Sequence, residues 1–275
     1  MSLYRGNADT LIRYDLGMVV SEASTKERDM FIADRVMPIV PTLKRVDAFF
    51  VGDEKSELAD PATIERADKA EYVEVEQKYG EDTFICKEFG VKSPLSDKEI
   101  AEDGTNIPML EQNTADRAAL AVKRARERRV VRLLQDTTSI PTASAITPWA
   151  TIATADPLMD VLTAKEAMRN SKGITPNVGV VTKPVFLLLQ RNAKIMAQYQ
   201  YTQPLNVANS NVFAGILADY FGLTEIIVAT AQYDTAKKGA EVSKSDIWSS
   251  AYFGMYMVTN KLDRKNKEPH IGHSC

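Results

Sequence analysis

Histidine, cysteine and tryptophan are nearly missing from this chain of 275 residues, with two of each. Both histidines, His270 and His273, stand in the last six positions, so any mechanism needing a positioned imidazole would have to draw it from the end of the chain. Cys86 and Cys275 are too few for a disulfide framework and suit a reducing cytoplasm. Cys86 sits in the alternating stretch "DTFICKEF" and reads as a plain buried or edge thiol. No apolar run approaches the roughly 20 residues that a bilayer span requires, so no membrane partner is expected. The start, "MSLYRGNADT", lacks the basic-then-apolar order of a secretory signal.

Recognisable chemistry is also scarce. There is no glycine-rich dinucleotide fingerprint, no G-x-S-x-G elbow and no H-E-x-x-H pair. "GAEVSKS" (239–245) has the outline of a phosphate loop but is one residue short. It also lacks the glycine before the lysine that lets backbone donors curl around a phosphate. His270, His273 and Cys275 are three soft donors without a fourth, a poor metal set. The reading is therefore of a chain without catalytic residues, metal ligands or cofactors.

What is present is an ordinary balance of 44% hydrophobic and 26% charged residues with net charge −3, arranged in a distinctive order. "STKE" (24–27) is a capping box, opening a short helix in "KERDMFIADRVMP" that Pro38 ends. "PIVPTLKRVDAFF" reads as extended because proline disfavours helix at itself and just before. A charged stretch follows, then period-2 alternation through Tyr72, Val73, Val75, Tyr79, Phe84, Cys86 and Phe89. This predicts a long two-stranded excursion over 47–95 that has to lie on something, since a lone hairpin is not stable in water.

A second capping box, "SDKE" (96–99), precedes the longest helical pattern, Pro108 to Asp136. Its apolar residues fall on two flanks. Ala118, Val122, Ala125 and Leu133 form one; Leu120, Val131 and Leu134 form the other, which predicts a helix gripped from two sides. "RAALAVKRARERRVVR" sets Arg117, Arg124, Arg128 and Arg132 along one line, with Glu127 the single acid among these cations. Such a line could track a nucleic-acid backbone, although no interleaved aromatics suggest base stacking. The preferred reading of the residues alone is a solvated or interface face whose stems cover apolar surface.

After a Ser/Thr/Ala/Pro-rich connector of extended character, Asp156-Pro157 opens a helix that Gly173 ends. Then come the strand-to-helix run "NVGVVTKPVFLLLQRNAKIMAQYQYTQ", the helix "NVFAGILADYFG", the strand "TEIIVAT", the loop "AQYDTAKKGAEVSKS" and the strand pattern "DIWSSAYFGMYMVT". In the strand-to-helix run, Val185, Leu188, Leu189, Ile195, Met196 and Tyr199 share one stripe, with Asn192 the exception. The order defines an α/β module of about 100 residues, and "KLDRKNKEPHIGHSC" reads as a disordered polar tail.

These pieces together resemble the major capsid proteins of tailed phages, of the Hong Kong 97-like fold, over residues 25–259. The resemblance rests on "FIADRVMPIVP", "FICKEFGVKSPLSDKEI", "RRVVRLLQD", "DPLMDVLTAKEAMRNSKGITPNVGVVTKPVFLLLQRNAKIMAQYQYT" and "GLTEIIVATAQYDTAKKG". It implies an α+β chain with an N-terminal arm (1–46) and an extended β-hairpin loop (47–95). A spine helix with a peripheral domain (96–155), an α/β axial domain (156–260) and the polar tail (261–275) would follow.

It further implies a non-enzymatic subunit that assembles with itself, through pentamers and hexamers, into an icosahedral shell. That shell would enclose double-stranded DNA held by non-specific contact, with Arg117, Arg124, Arg128 and Arg132 facing it. Scaffolding, portal and decoration proteins would be further partners. Assembly would take place in the host bacterial cytoplasm, and the protein would end in the virion capsid. Some relatives cross-link through a loop lysine; Lys55 and Lys69 lie in this loop without a local motif, and no cross-link is expected. Relatives also continue after the last axial strand, whereas "EPHIGHSC" does not read as such a strand. An encapsulin-like compartment shell shares the implied fold and would hold protein cargo; the long polar arm and loop fit a phage better. A small α/β enzyme or nucleotide binder centred on 156–259 is the reading from another class.

Overall fold

The computed structural model describes residues 31–52, 65, 71–72, 74, 79–98, 101, 107–199, 210–237 and 239–259. The capping box at 24–27 and the tail with His270, His273 and Cys275 lie outside the described residues. The first element among the described residues is one turn of helix, α1 (Ala33–Val36), with Ala33 and Val36 buried. Strands β1 (Val46–Gly52) and β2 (Tyr79–Ile85) pair antiparallel from Val46↔Ile85 to Gly52↔Tyr79, as the alternation predicted. Cys86 follows β2, half-buried, with its sulfur 3.5 Å from Thr42 Oγ1.

Helix α2 (Ile107–Leu134) has 28 residues and is about 42 Å long at ~1.5 Å per residue. The connector after it is turned more than extended: turns at 137–139 and 149–154 bring Ile152 O to Ala193 N at 3.2 Å. Helix α3 (Pro157–Lys172) begins and ends where its sequence signals stand. Asp156 accepts from the Met159 amide, proline fills the first turn, and Gly173 closes the helix at φ 68°.

The strand β3 (Val178–Thr182) lies at the centre of a three-stranded sheet, parallel to β4 (Glu225–Ala229) and antiparallel to β7 (Phe253–Tyr256). A parallel neighbour requires a crossover, supplied by α4 (Lys183–Arg191), α5 (Ala193–Tyr199) and α6 (Ser210–Phe221). The helical stripe across 185–199 is broken in two at Asn192. Its Oδ1 accepts from the Lys194 and Ile195 amides and its Nδ2 donates to Ala155 O, so this buried polar residue caps α5. The 231–245 loop is a hairpin instead: β5 (Gln232–Asp234) pairs with β6 (Lys244–Asp246). The strand pattern that follows is interrupted, because residues 247–252 turn inward and put Ile247 and Trp248 into the core.

All five residues of β3 are buried, as expected for a strand covered on both faces. Alternate side chains then divide the molecule into two cores. Val178, Val180, Ile227, Ala229 and Tyr256 belong to one, shared with residues 31–37 and the end of α2. Val181, Ile226, Val185, Phe186, Phe213 and Leu217 belong to the other, beneath α4 and α6.

Candidate functional site

Four consecutive residues near the end of α2 reach four different surroundings, because each step along an α-helix turns the side chain by about 100°. Arg126 pairs with Asp34, and its Nη2 donates to Met37 O at 3.1 Å. Arg128 lies over the Tyr233 ring, 4.2 Å from its centroid. Arg129 lies over Phe89 at 3.6 Å. Glu127 points inward and is fully buried, at 0% exposure.

Three donors meet on that buried carboxylate. Trp248 Nε1 donates to Oε1 at 2.7 Å, the Ile32 amide to Oε1 at 3.4 Å and the Ala33 amide to Oε2 at 2.8 Å. The last two are first-turn amides of α1, which have no partner within their own helix. Burial still outweighs these donors, and the charge of Asp34 adds to it, so the Glu127 carboxyl is raised above the ordinary carboxylate range. The segment 31–37 is thus tied to α2 by Glu127 and Arg126, to β4 by the Arg35–Glu225 ion pair, and to the core by five buried side chains.

Glu127 was not legible as a site from composition, where it reads as one acid among cations. Its angular position does carry a signal, since it falls in the middle of the Leu120, Val131 and Leu134 flank. That flank is in the core. On the other flank, Leu133 is 59% exposed, Ala125 is exposed, and Ala118 and Val122 are half-buried. The described residues therefore grip α2 on one side.

Along the basic line, Arg117, Arg128 and Arg132 are exposed, while Arg124 is half-buried with its Nε enclosed and without a hydrogen-bond partner. Arg128 is already stacked on Tyr233. The four arginines are thus in different states, three at the surface and one half-enclosed.

Beside this node, Tyr252 and Tyr256 share a short hydroxyl contact, and Tyr252 donates to Leu134 O at 3.1 Å. Desolvation raises both phenols, so they stay neutral donors and acceptors. No group of three histidine, cysteine or carboxylate side chains able to hold a metal occurs among the described residues, and none of the described helices is long and apolar enough to cross a membrane. The arrangement offers anchoring and surface charge.

The geometry is that of an α+β protein organised around one long helix whose polar groups fasten other segments. A model of the phage capsid protein family matches residues 87–261, well over half of the sequence. The chain belongs to that family, which is structural rather than enzymatic. The crystal structure of a phage-related protein from Bordetella bronchiseptica RB50 is similar over 94% of this chain and 81% of its own. Its TM-score is 0.64 at 18% identity, so what it shows is a shared fold. A chain from Mycobacterium phage Ogopogo is similar over 74% of this chain and 64% of its own, at 14% identity, but its TM-score of 0.40 carries no argument. No curated protein matches the sequence.

Proposed function

We propose that the protein is the major capsid subunit of a tailed phage or prophage, of the Hong Kong 97-like fold. Family membership carries this reading. The division into arm (1–46), extended loop (47–95), spine and peripheral domain (96–155), axial domain (156–260) and tail (261–275) belongs to the same proposal. Copies meet in pentamers and hexamers and close into an icosahedral shell around double-stranded DNA.

The surface supports self-association. Ile39, Leu43, Val46, Ile85, Phe89 and Val91 are all at least half exposed and lie in the chain entering β1 and leaving β2, where Val46 is paired with Ile85. Leu133 adds the uncovered flank of α2. A contiguous exposed apolar surface marks a protein contact more often than a free face. Arg117, Arg124, Arg128 and Arg132 would face the packaged DNA, as sequence-blind, salt-dependent attraction.

Charge placed at the hairpin root tests the reading. Leu43→Asp with Val46→Asp replaces fully or largely exposed side chains, so the folded monomer should keep its melting behaviour while sedimentation shows assembly abolished. Unchanged assembly would remove this surface from the proposal.

A further inference from the structure

We propose that Glu127 couples two distant segments, so that the docking of residues 31–37 is controlled by Trp248 in the turn before β7. This inference rests on the geometry of the node and not on the assembly reading.

Glu127 lies 94 and 95 positions from the amides it receives on α1, and 121 from Trp248. One carboxylate thus serves both the strap formed by residues 31–37 and the inward turn at 247–252. A glutamate side chain has three rotatable bonds, and a fully buried one keeps its direction only while its acceptor oxygens are engaged. Trp248 supplies the shortest of the three bonds and the only one from a side chain. Its indole packs in the same core as Phe31, Ile32, Ala33, Val36 and Met37.

Remove that N–H, and the buried charge is left with two donors, both belonging to the element it must hold. Leaving a charged group under-satisfied in the core is costly, so the carboxylate swings outward or takes up a proton. The first releases the Ile32 and Ala33 amides outright; the second weakens both bonds by removing the acceptor's charge. Loss of Trp248's hydrogen bond therefore opens the strap, although Trp248 touches neither amide through a hydrogen bond. In the reverse direction, undocking the strap leaves Trp248 as the sole donor and loosens the 247–252 turn. The other ties of the strap are of a different kind. Arg35–Glu225 is a half-exposed ion pair, and such pairs contribute little; Arg126 holds Asp34 and Met37 O, which lie beyond the Ile32 and Ala33 amides.

Hydrogen exchange of the full-length protein tests this, read at the Ile32 and Ala33 amides, with Val180 and Val181 in the central strand as reporters of global opening. Trp248→Phe keeps an aromatic ring and removes the N–H; it should speed exchange at Ile32 and Ala33 by about tenfold or more while the β3 amides stay slow. Glu127→Gln should do the same, and adding Trp248→Phe to it should change little further, because both act through one bond. Tyr252→Phe, which deletes a hydroxyl from the same core, should leave the strap amides unchanged. Strap exchange within twofold of wild type in Trp248→Phe would overturn the proposal. So would additive effects in the double variant, or an equal rise at Val180 and Val181.

Discussion

The Trp248 indole donates to Glu127 Oε1 at 2.7 Å inside a core shared with residues 31–37. Two residues 121 positions apart thereby hold the long helix, the N-terminal strap and the three-stranded sheet in one arrangement. The node is polar and wholly enclosed, so its removal should be felt more than that of any surface ion pair.

Glu127→Ala should destabilise the unassembled protein by about 3 kcal/mol or more, since it strands three donors in the core. The midpoint of urea unfolding checks this. Arg35→Gln, by contrast, should cost under about 1 kcal/mol, because both partners of its ion pair are nearly half exposed.

Gly254→Ala should be destabilising although the change is small. A Cβ there would lie 2.6 Å from the Tyr256 hydroxyl and 2.7 Å from that of Tyr252. The two phenols cross directly over the strand at this point, and overpacking of this kind costs about 1–3 kcal/mol. Thermal unfolding should show the drop in stability, and Gly254→Ala in a Tyr252→Phe background should recover part of it.

Asn192→Ala should cost about 1 kcal/mol, within the ~0.5–2 kcal/mol range for removal of a helix cap. The substitution removes the acceptor for the Lys194 and Ile195 amides and leaves Ala155 O unpaired. Chemical denaturation of Asn192→Asp beside Asn192→Ala separates the two roles: aspartate keeps the cap but turns a buried carboxylate oxygen towards Ala155 O, so any loss it shows comes from that side.

Two carboxyls bend the pH profile in opposite directions. The Lys194 ammonium and the first amides of α3 lower Asp156 below the ordinary range. Its stabilisation is therefore present above the unfolded value of 3.8 and is lost as pH falls through the lower folded value. Glu127 is raised from 4.5, so its contribution is most favourable below that value and declines as pH rises through the folded one. Stability measured against pH should show a shallower acid-side fall for Asp156→Asn, whereas Glu127→Gln should remove the decline that sets in as pH rises above 4.5.

Replacing Arg117 and Arg132 by glutamine should weaken DNA binding uniformly across sequences and reduce the salt slope by about one for each phosphate no longer neutralised. Arg128→Gln should do so while also loosening the Tyr233 hairpin it covers. Filter binding over a salt series reads both effects. Equal affinity and slope in all three variants would detach the basic line from DNA.

The elements with local signals were the legible ones. Asp156, Pro157 and Gly173 bound α3 where their chemistry requires, and the alternation before Cys86 gave the β1–β2 hairpin. What local signals could not give were groups whose partners are distant in sequence. Glu127 sits among arginines in the chain and among Ile32, Ala33 and Trp248 in space. Asn192 looked like a defect in an apolar stripe because the stripe was two helices. The 246–259 strand pattern failed for a related reason: Ile247 and Trp248 are apolar because they turn into the α2 core, not because they extend a ladder. The second grip on α2 has no source among the described residues, and the basic line shows where charge lies without showing what it meets.

The most direct measurement is negative-stain electron microscopy of the protein expressed alone, with size-exclusion chromatography of the same sample. A capsid subunit should give hollow shells of uniform diameter, or discrete pentamers and hexamers. A monomer at every concentration would contradict that role.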